Sequence, residues 1–440
     1  MQGDLTLGVG GLIVLLLLIG IRVPIAHAMI LVGAVGAAIM SGPAIILNQL
    51  KDLAYAQFSI YDLSVLPMFI LMGSLAARCG LSRDLFRGAN AWMGWMRGGI
   101  AMAAIMACGC FGAVCGSSTA TASTMGQVAL PELKRYNYAP SLATGTIAAG
   151  GTLGILIPPS VVLIVYAIIV EANIVSLFAA ALIPGLLAVG LFVITIAIVV
   201  RLFPAAGPKG QPVSAQERIA ATLAVIPVLV IFAVVIGGIY AGIYNPTPAA
   251  AIGVFLVGAY GFARRRLAWK ETLAALLETA KTTGMIMLIL LGAELLKIFM
   301  ARAGVPQAAA EALQNSGLGA YGTLVIIIAI FLVLGCLLDS LSMIILAIPF
   351  FWPVMAGLDF GLTPDEQKLW FAVIILVVVE LGLITPPVGL NVFIINSLAP
   401  DVPMRKTFLG VTPFFMSEIV RITLLVLIPS ISLALPRLLF

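Results

Sequence analysis

Apolar runs as long as a membrane-spanning helix, separated by short charged or Pro/Gly-rich loops, recur along this whole chain. They lie near 5–21, 24–42, 58–77, 141–170, 175–200, 219–239, 249–263, 282–300, 369–398 and 407–436. Each approaches the roughly 20 residues that a helix needs to cross a hydrocarbon layer. Hydrophobic residues make up 62% of the 440 and charged residues only 9%, with a mean hydropathy of +1.19. A soluble domain carries about 25% charged residues, so this chain has too little polar surface to hide its apolar residues from water. The predicted fold is all-α and polytopic. The run Leu5–Ile21 has neither a basic leader nor a small-residue cleavage site, so it is read as a retained first span.

Several function classes fall away at this point. The formal charge of +5 is no nucleic-acid signal, because the basic residues sit in inter-span loops. Cys79, Cys108, Cys110, Cys115 and Cys336 lie in or beside apolar segments, and the single histidine, His27, has no companion for a metal site. Cys108-x-Cys110 lacks a second ligand pair and reads as buried packing. No G-x-x-x-x-G-K-[ST] sequence is present, so the chain is not expected to hydrolyse ATP itself. A membrane-embedded enzyme, such as a lipid transferase, needs a nucleophile and a base together, and His27 with scattered carboxylates offers no such set. Neither enzymatic activity nor an organic cofactor is expected.

Two apolar stretches, 99–131 and 321–356, are too long for one crossing and too short for two. Small polar residues interrupt each of them, Gly116-Ser117-Ser118-Thr119 in the first and Asp339-Ser340-Leu341-Ser342 in the second. A re-entrant hairpin with its tip buried in protein fits both. With two hairpins, most of the 23 Lys and Arg residues share one side, from Arg22, Arg78 and Arg97 through Lys134 and Arg201 to Arg264 and Lys406. Only Lys51, Arg302, Lys368 and Arg437 fall opposite, while Lys297 and Arg421 lie within spans. By the positive-inside rule both termini lie outside the cytoplasm. Closed hairpins also suggest alternating occlusion rather than an open channel.

The two halves echo each other. Ser118 stands to Pro131 as Ser340 stands to Pro353, and Gly154-Ile-Leu-Ile-Pro158-Pro159-Ser160 is answered by Gly382-Leu-Ile-Thr-Pro386-Pro387-Val-Gly389. Ile183-Pro184-Gly185 pairs with Thr412-Pro413-Phe414, and Met72-Gly73 with Leu291-Gly292. Each half then holds five spans plus one hairpin, and an odd number of crossings makes the repeats inverted. Loop charge agrees, with basic loops beside the first hairpin and Glu311, Asp359, Asp365 and Glu366 beside the second. Inverted repeats with discontinuous helices point to a secondary transporter with its site near the midplane.

Consecutive prolines remove two backbone donors, so Pro158-Pro159 and Pro386-Pro387 must interrupt their helices. The freed carbonyls, with Ser, Thr and Asp oxygens, suit Na⁺, and exposed half-helix N-termini favour an anionic group. Two pseudo-symmetric Na⁺ sites are therefore expected. The first uses Ser117, Ser118, Gly151, Thr152 and Gly154, and the second Gly335, Asp339, Ser340, Gly382 and Thr385. A plainer reading stands beside this one: the breaks merely kink helices, small residues let them pack closely, and Asp339 belongs to a structural ion pair. Asp339 is a functional candidate because an intramembrane carboxylate is costly. Glu294 with Lys297, and Glu418 with Arg421, read as neutralising pairs. Glu380 either orients the second break or caps a neighbour. Gln49–Phe58 and Leu267–Lys281 look amphipathic and read as interfacial arms or as ordinary loop helices.

At these motifs the sequence resembles the large membrane subunit of the tripartite ATP-independent periplasmic (TRAP) transporters. The resemblance runs over nearly the whole chain and is carried by 112–121, 150–160 and 380–391, the last reading Glu380-Leu-Gly-Leu-Ile-Thr-Pro-Pro-Val-Gly-Leu-Asn391. Cys115 stands where that family often has serine. The resemblance implies an elevator-type importer in the cytoplasmic (inner) membrane of a bacterium or archaeon, driven by sodium. It would take up a small organic acid, such as a C4-dicarboxylate or sialic acid, delivered by a periplasmic substrate-binding protein. It also implies a small four-helix membrane subunit, expected as a separate polypeptide. Thr119, Ser160, Asn391 and Ser342 become candidate substrate neighbours. On this reading residues 1–57 form scaffold spans and an arm, and 58–200 the first core. Residues 201–218 are a cytoplasmic linker, 219–281 a second scaffold and arm, and 282–440 the second core. The alternative within transport is a stand-alone sodium/carboxylate symporter or exchanger that needs no binding protein.

Overall fold

The computed structural model describes residues 4–315 and 317–440. All the extended elements among them are helical, apart from the isolated bridge Arg97–Lys209. Among the described residues, five helices are each long and apolar enough to cross a membrane: Ile174–Leu202, Ala215–Tyr240, Pro246–Ala263, Trp269–Ala303 and Met404–Leu427. Shorter apolar helices accompany them, including Leu5–Gly20 and Ile25–Ser41. Large apolar side chains line the outside of helix after helix, with Leu17 63%, Phe255 71% and Val333 64% exposed. A water-facing surface carries such residues singly; an exterior this continuous is suited to lipid.

The two interrupted stretches fold as helical pairs. Gly99–Cys115 and Ser118–Arg135 meet at a tip of two residues, where Gly116 takes a left-handed conformation (φ 65°) and Ser117 is extended. The positive φ favours glycine at that turn. Gly319–Gly335 and Ser340–Ala356 make the second pair. Both double prolines break their helices as expected. Pro140–Leu156 and Val161–Val170 meet at 45°, and Pro364–Gly382 is followed after a gap by Leu390–Leu398.

Packing around the breaks is reciprocal. The first hairpin lies on Pro140–Leu156, and the incoming helix of the second lies on Pro364–Gly382. The short piece beyond each break crosses over: Val161–Val170 packs on Ser340–Ala356, and Leu390–Leu398 on Ser118–Arg135. Elsewhere Ile25–Ser41 lies along Trp269–Ala303, and Val65–Arg78 along Pro246–Ala263. Arg78 reaches Glu271 at 2.8 Å and Glu278 at 3.0 Å, and Ser74 donates to Glu278 at 2.7 Å. The buried Asp84 pairs with Arg266.

The structure departs from the sequence reading in four places. The arm over Leu267–Lys281 and the span 282–300 are one helix, Trp269–Ala303, of 35 residues. No proline interrupts it, and its Ala, Leu, Glu and Lys content favours a helix throughout. At ~1.5 Å per residue it is about 52 Å long, beyond the roughly 30 Å of a hydrocarbon core. The span 407–436 divides into Met404–Leu427 and Ser430–Leu439, because Pro429 lacks the donor that continuity needs. The basic loop after Arg78 contains a helix, Leu81–Met93, which buries Leu81, Leu85 and Phe86 and turns Arg83 and Arg87 outward. The arm Gln49–Phe58 is the end of a longer helix, Pro43–Phe58.

Candidate functional site

At the first tip, Ser117 caps the outgoing helix: its Oγ accepts from the Ala120 N–H at 3.4 Å and lies 3.4 Å from Thr119 Oγ1. Its carbonyl accepts from the Thr121 N–H at 3.0 Å. The tip sits directly on the break. A Cβ added to Gly154 would stand 2.5 Å from the Ser117 carbonyl oxygen, and one on Gly116 3.0 Å from the Pro159 oxygen. Backbones approach this closely only where side chains are missing. Ser160 then caps Val161–Val170, its Oγ accepting from the Leu163 N–H at 3.4 Å, and it is fully buried. Thr152 is buried too and donates to the Ala149 carbonyl at 2.6 Å.

The second tip repeats the plan with different side chains. Asp339 takes the place of Ser117 and caps Ser340–Ala356, with Oδ2 accepting from the Ser342 N–H at 3.1 Å. Gly335 crosses Gly382, where an added Cβ would stand 2.5 Å from the Gly335 carbonyl carbon. Thr385 is half-buried and donates to the Leu381 carbonyl at 2.6 Å. Asp339 and Thr385 therefore each bond within their own segment. The ion pair considered for Asp339 is not formed among the described residues, and its carboxylate is a helix cap. Glu294–Lys297 at 3.4 Å and the buried Glu418–Arg421 pair do form.

At the breaks, Glu380 and Asn391 each reach from the second half to the first. Glu380, 1% exposed, accepts from Ser118 Oγ at 2.5 Å through Oε2 and from Ser340 Oγ at 2.7 Å through Oε1. One carboxylate thus holds both hairpin tips. Asn391, from the second half, is fully buried, and its Nδ2 donates to Ala148 of the first at 3.4 Å. It also lies beside Gly151, whose added Cβ would be 3.1 Å from that nitrogen. Its Oδ1 has no hydrogen-bond partner among the described residues. In sequence Glu380 stands near the second break, and nothing local ties it to the first tip, because its partner Ser118 is 262 residues away. The available signal was the general one, a carboxylate inside an apolar span.

Outside the apolar layer, Lys134 at the end of the first hairpin meets Asp401 at 2.7 Å and holds that carboxyl below its usual range. Both groups are largely exposed, so this link contributes little to stability.

A chain whose described elements are helical, with a continuous apolar exterior and two hairpin tips seated on two broken helices, is a multi-pass membrane protein. The family model described as "Tripartite ATP-independent periplasmic transporter, DctM component" matches residues 12–431. The C4-dicarboxylate TRAP transporter large permease protein DctM of Pseudomonas aeruginosa is 34% identical, over 86% of this chain and 86% of its own. The sialic acid TRAP transporter large permease protein SiaM of Vibrio cholerae is 29% identical, over 86% and 87%. Among solved structures, the Alcanivorax borkumensis YdaH transporter, whose topology is described as unusual, aligns over 89% of this chain and 90% of its own. The TM-score is 0.63 at 14% identity, a likeness of fold alone. This chain belongs to the DctM family, the large permease subunits of TRAP transporters.

Proposed function

We propose that this permease imports a small organic acid across the cytoplasmic membrane, driven by Na⁺. In this reading a periplasmic binding protein supplies the substrate and a separate four-helix membrane subunit completes the complex. The two halves are inverted repeats with both termini on the periplasmic side. The hairpins and broken helices move as an elevator against the scaffold formed by 1–57 and 219–281. Two Na⁺ ions sit where each tip meets its break: one near Ser117, Ser118, Gly151, Thr152 and Gly154, the other near Gly335, Asp339, Ser340, Gly382 and Thr385. The substrate carboxylate lies between them, near Thr119, Ser160, Ser342 and Asn391.

The observation that carries this reading is the close seating of each tip on its break, Gly154 against Ser117 and Gly382 against Gly335. Broken helices end in carbonyl and N–H groups that need partners, and in hydrocarbon a dehydrated cation and an anionic substrate are suitable ones. The buried Asn391 oxygen without a partner supports a ligand there. Asp339 spends one oxygen as a cap, which leaves the other for a cation.

The test is uptake of radiolabelled C4-dicarboxylate or sialic acid by proteoliposomes carrying the whole complex, with and without an inward Na⁺ gradient. Asp339→Asn preserves the cap, since asparagine caps as well as aspartate, and removes only the charge. Sodium-driven uptake is expected in the wild type and is expected to be lost in this variant. Full uptake by Asp339→Asn at unchanged sodium dependence would remove Asp339 from the site.

A further inference from the structure

The carboxylate of Glu380 touches both hairpin tips. Its two oxygens are divided between the tips, Oε2 accepting from Ser118 Oγ at 2.5 Å and Oε1 from Ser340 Oγ at 2.7 Å. It is 1% exposed, and the ion pairs formed among the described residues do not include it. The nearby Arg421 is paired with Glu418 and donates to the Pro184 carbonyl. A salt bridge is therefore not what holds Glu380 in place.

We infer that Glu380 is the positioning residue for both tip serines, fixing their hydroxyls as cation ligands and making the two sodium sites act together. A serine hydroxyl has one proton and two acceptor lone pairs. A cation needs the lone pairs, so the proton must be committed elsewhere. Each oxygen of the Glu380 carboxyl accepts one such proton. Because both serines donate to the same carboxylate, a shift of either tip moves the acceptor of the other. The halves contribute unequally here. Glu380 stands six residues before Pro386, and the matching residue six before Pro158 is Thr152, whose hydroxyl is bonded inside its own helix. One side chain from the second half thus serves both tips.

This inference rests on the sodium reading above, and the variants are chosen to separate the two. In Glu380→Gln the amide presents one oxygen and one NH₂ group. One serine keeps its acceptor; the other faces a donor and must give up a lone pair. Sodium is titrated in two ways: as the rise in unfolding temperature of the detergent-purified chain, and as uptake by the reconstituted complex. Loss of one such bond corresponds to roughly a tenfold rise in half-saturating sodium. The steepness of the sodium curve should fall toward that of a single site, while the maximal rate at saturating sodium is affected less. Glu380→Asp retains two acceptors on a shorter arm and should show a smaller rise with steepness partly kept. It also carries the test if the glutamine variant does not survive purification. A wild type that responds to sodium, with Glu380→Gln and Glu380→Asp responding identically to it, would overturn the inference alone. A wild type indifferent to sodium in both measurements would overturn the sodium reading and this inference with it.

Discussion

Around the first double proline, every residue from Leu142 to Ala167 is buried, whereas around the second, burial is interrupted from Thr385 to Val388 and both Pro386 and Pro387 are exposed. The motifs are nearly the same, so the backbone break does not decide the burial. Its neighbours do. The first break is covered by Gly116 of the first tip and closed by the Ser160 cap. The second ends at Gly389, in a left-handed conformation, which has no side chain to cap Leu390–Leu398. The first half is a closed seat and the second an open one.

The comparison breaks most readily at the glycines. An added Cβ at Gly154 would meet both the Ser117 oxygen and Thr121 Oγ1 at 2.5 Å, and one at Gly382 the Gly335 carbonyl carbon at 2.5 Å. Backbone atoms cannot turn aside, so Gly154→Ala and Gly382→Ala each face overpacking of about 1–3 kcal/mol at the site itself. Uptake in either variant is expected to fall by roughly tenfold or more. Gly335→Ala, whose Cβ would stand 3.2 Å from Gly382 Cα, should be milder. Normal uptake by Gly382→Ala would mean that the second crossing is loose, and that the halves differ in packing as well as exposure.

The contrast in exposure has its own measurement. The five native cysteines are free, and all but Cys110 are buried, so background labelling should be low. Val388→Cys lies beside the open break, and Val161→Cys, 7% exposed in the native chain, beside the closed one. If reaching the closed site requires a local opening of even ~1.4 kcal/mol, a membrane-impermeant maleimide should label it roughly tenfold more slowly. Equal rates would show that the two breaks exchange with solvent alike.

Much of this arrangement was legible in the sequence because its causes are local. Double proline removes donors wherever it falls, and the small polar runs 116–119 and 339–342 interrupt stretches that are otherwise apolar. The illegible parts depend on what lies across the fold. The charged stretch after Arg78 reads as a loop until Leu81, Leu85 and Phe86 find a surface to bury against. The continuity of Trp269–Ala303 hides behind a change in composition near Lys281. Glu380 looked like a local helix-end residue because nothing near it in sequence names Ser118 as its partner.

The finest test compares two threonines that use their protons in the same way. Thr152 donates to the Ala149 carbonyl and Thr385 to the Leu381 carbonyl, both at 2.6 Å. In each case the hydroxyl lone pairs stay free, as a cation ligand requires. Removing one such oxygen by Thr152→Ala or Thr385→Ala costs about 1 kcal/mol of ligand contact, a rise of roughly fivefold in half-saturating sodium. The two should nevertheless differ. Thr152 is buried at 2% exposure beside the closed break, where little can replace it. Thr385 is half-buried beside the open break, where a water molecule can take over the lost contact at small cost. Thr152→Ala is therefore expected to shift sodium dependence more than Thr385→Ala. The reverse order would mean that burial does not grade the two halves, and that the second carries the tighter site despite its exposure.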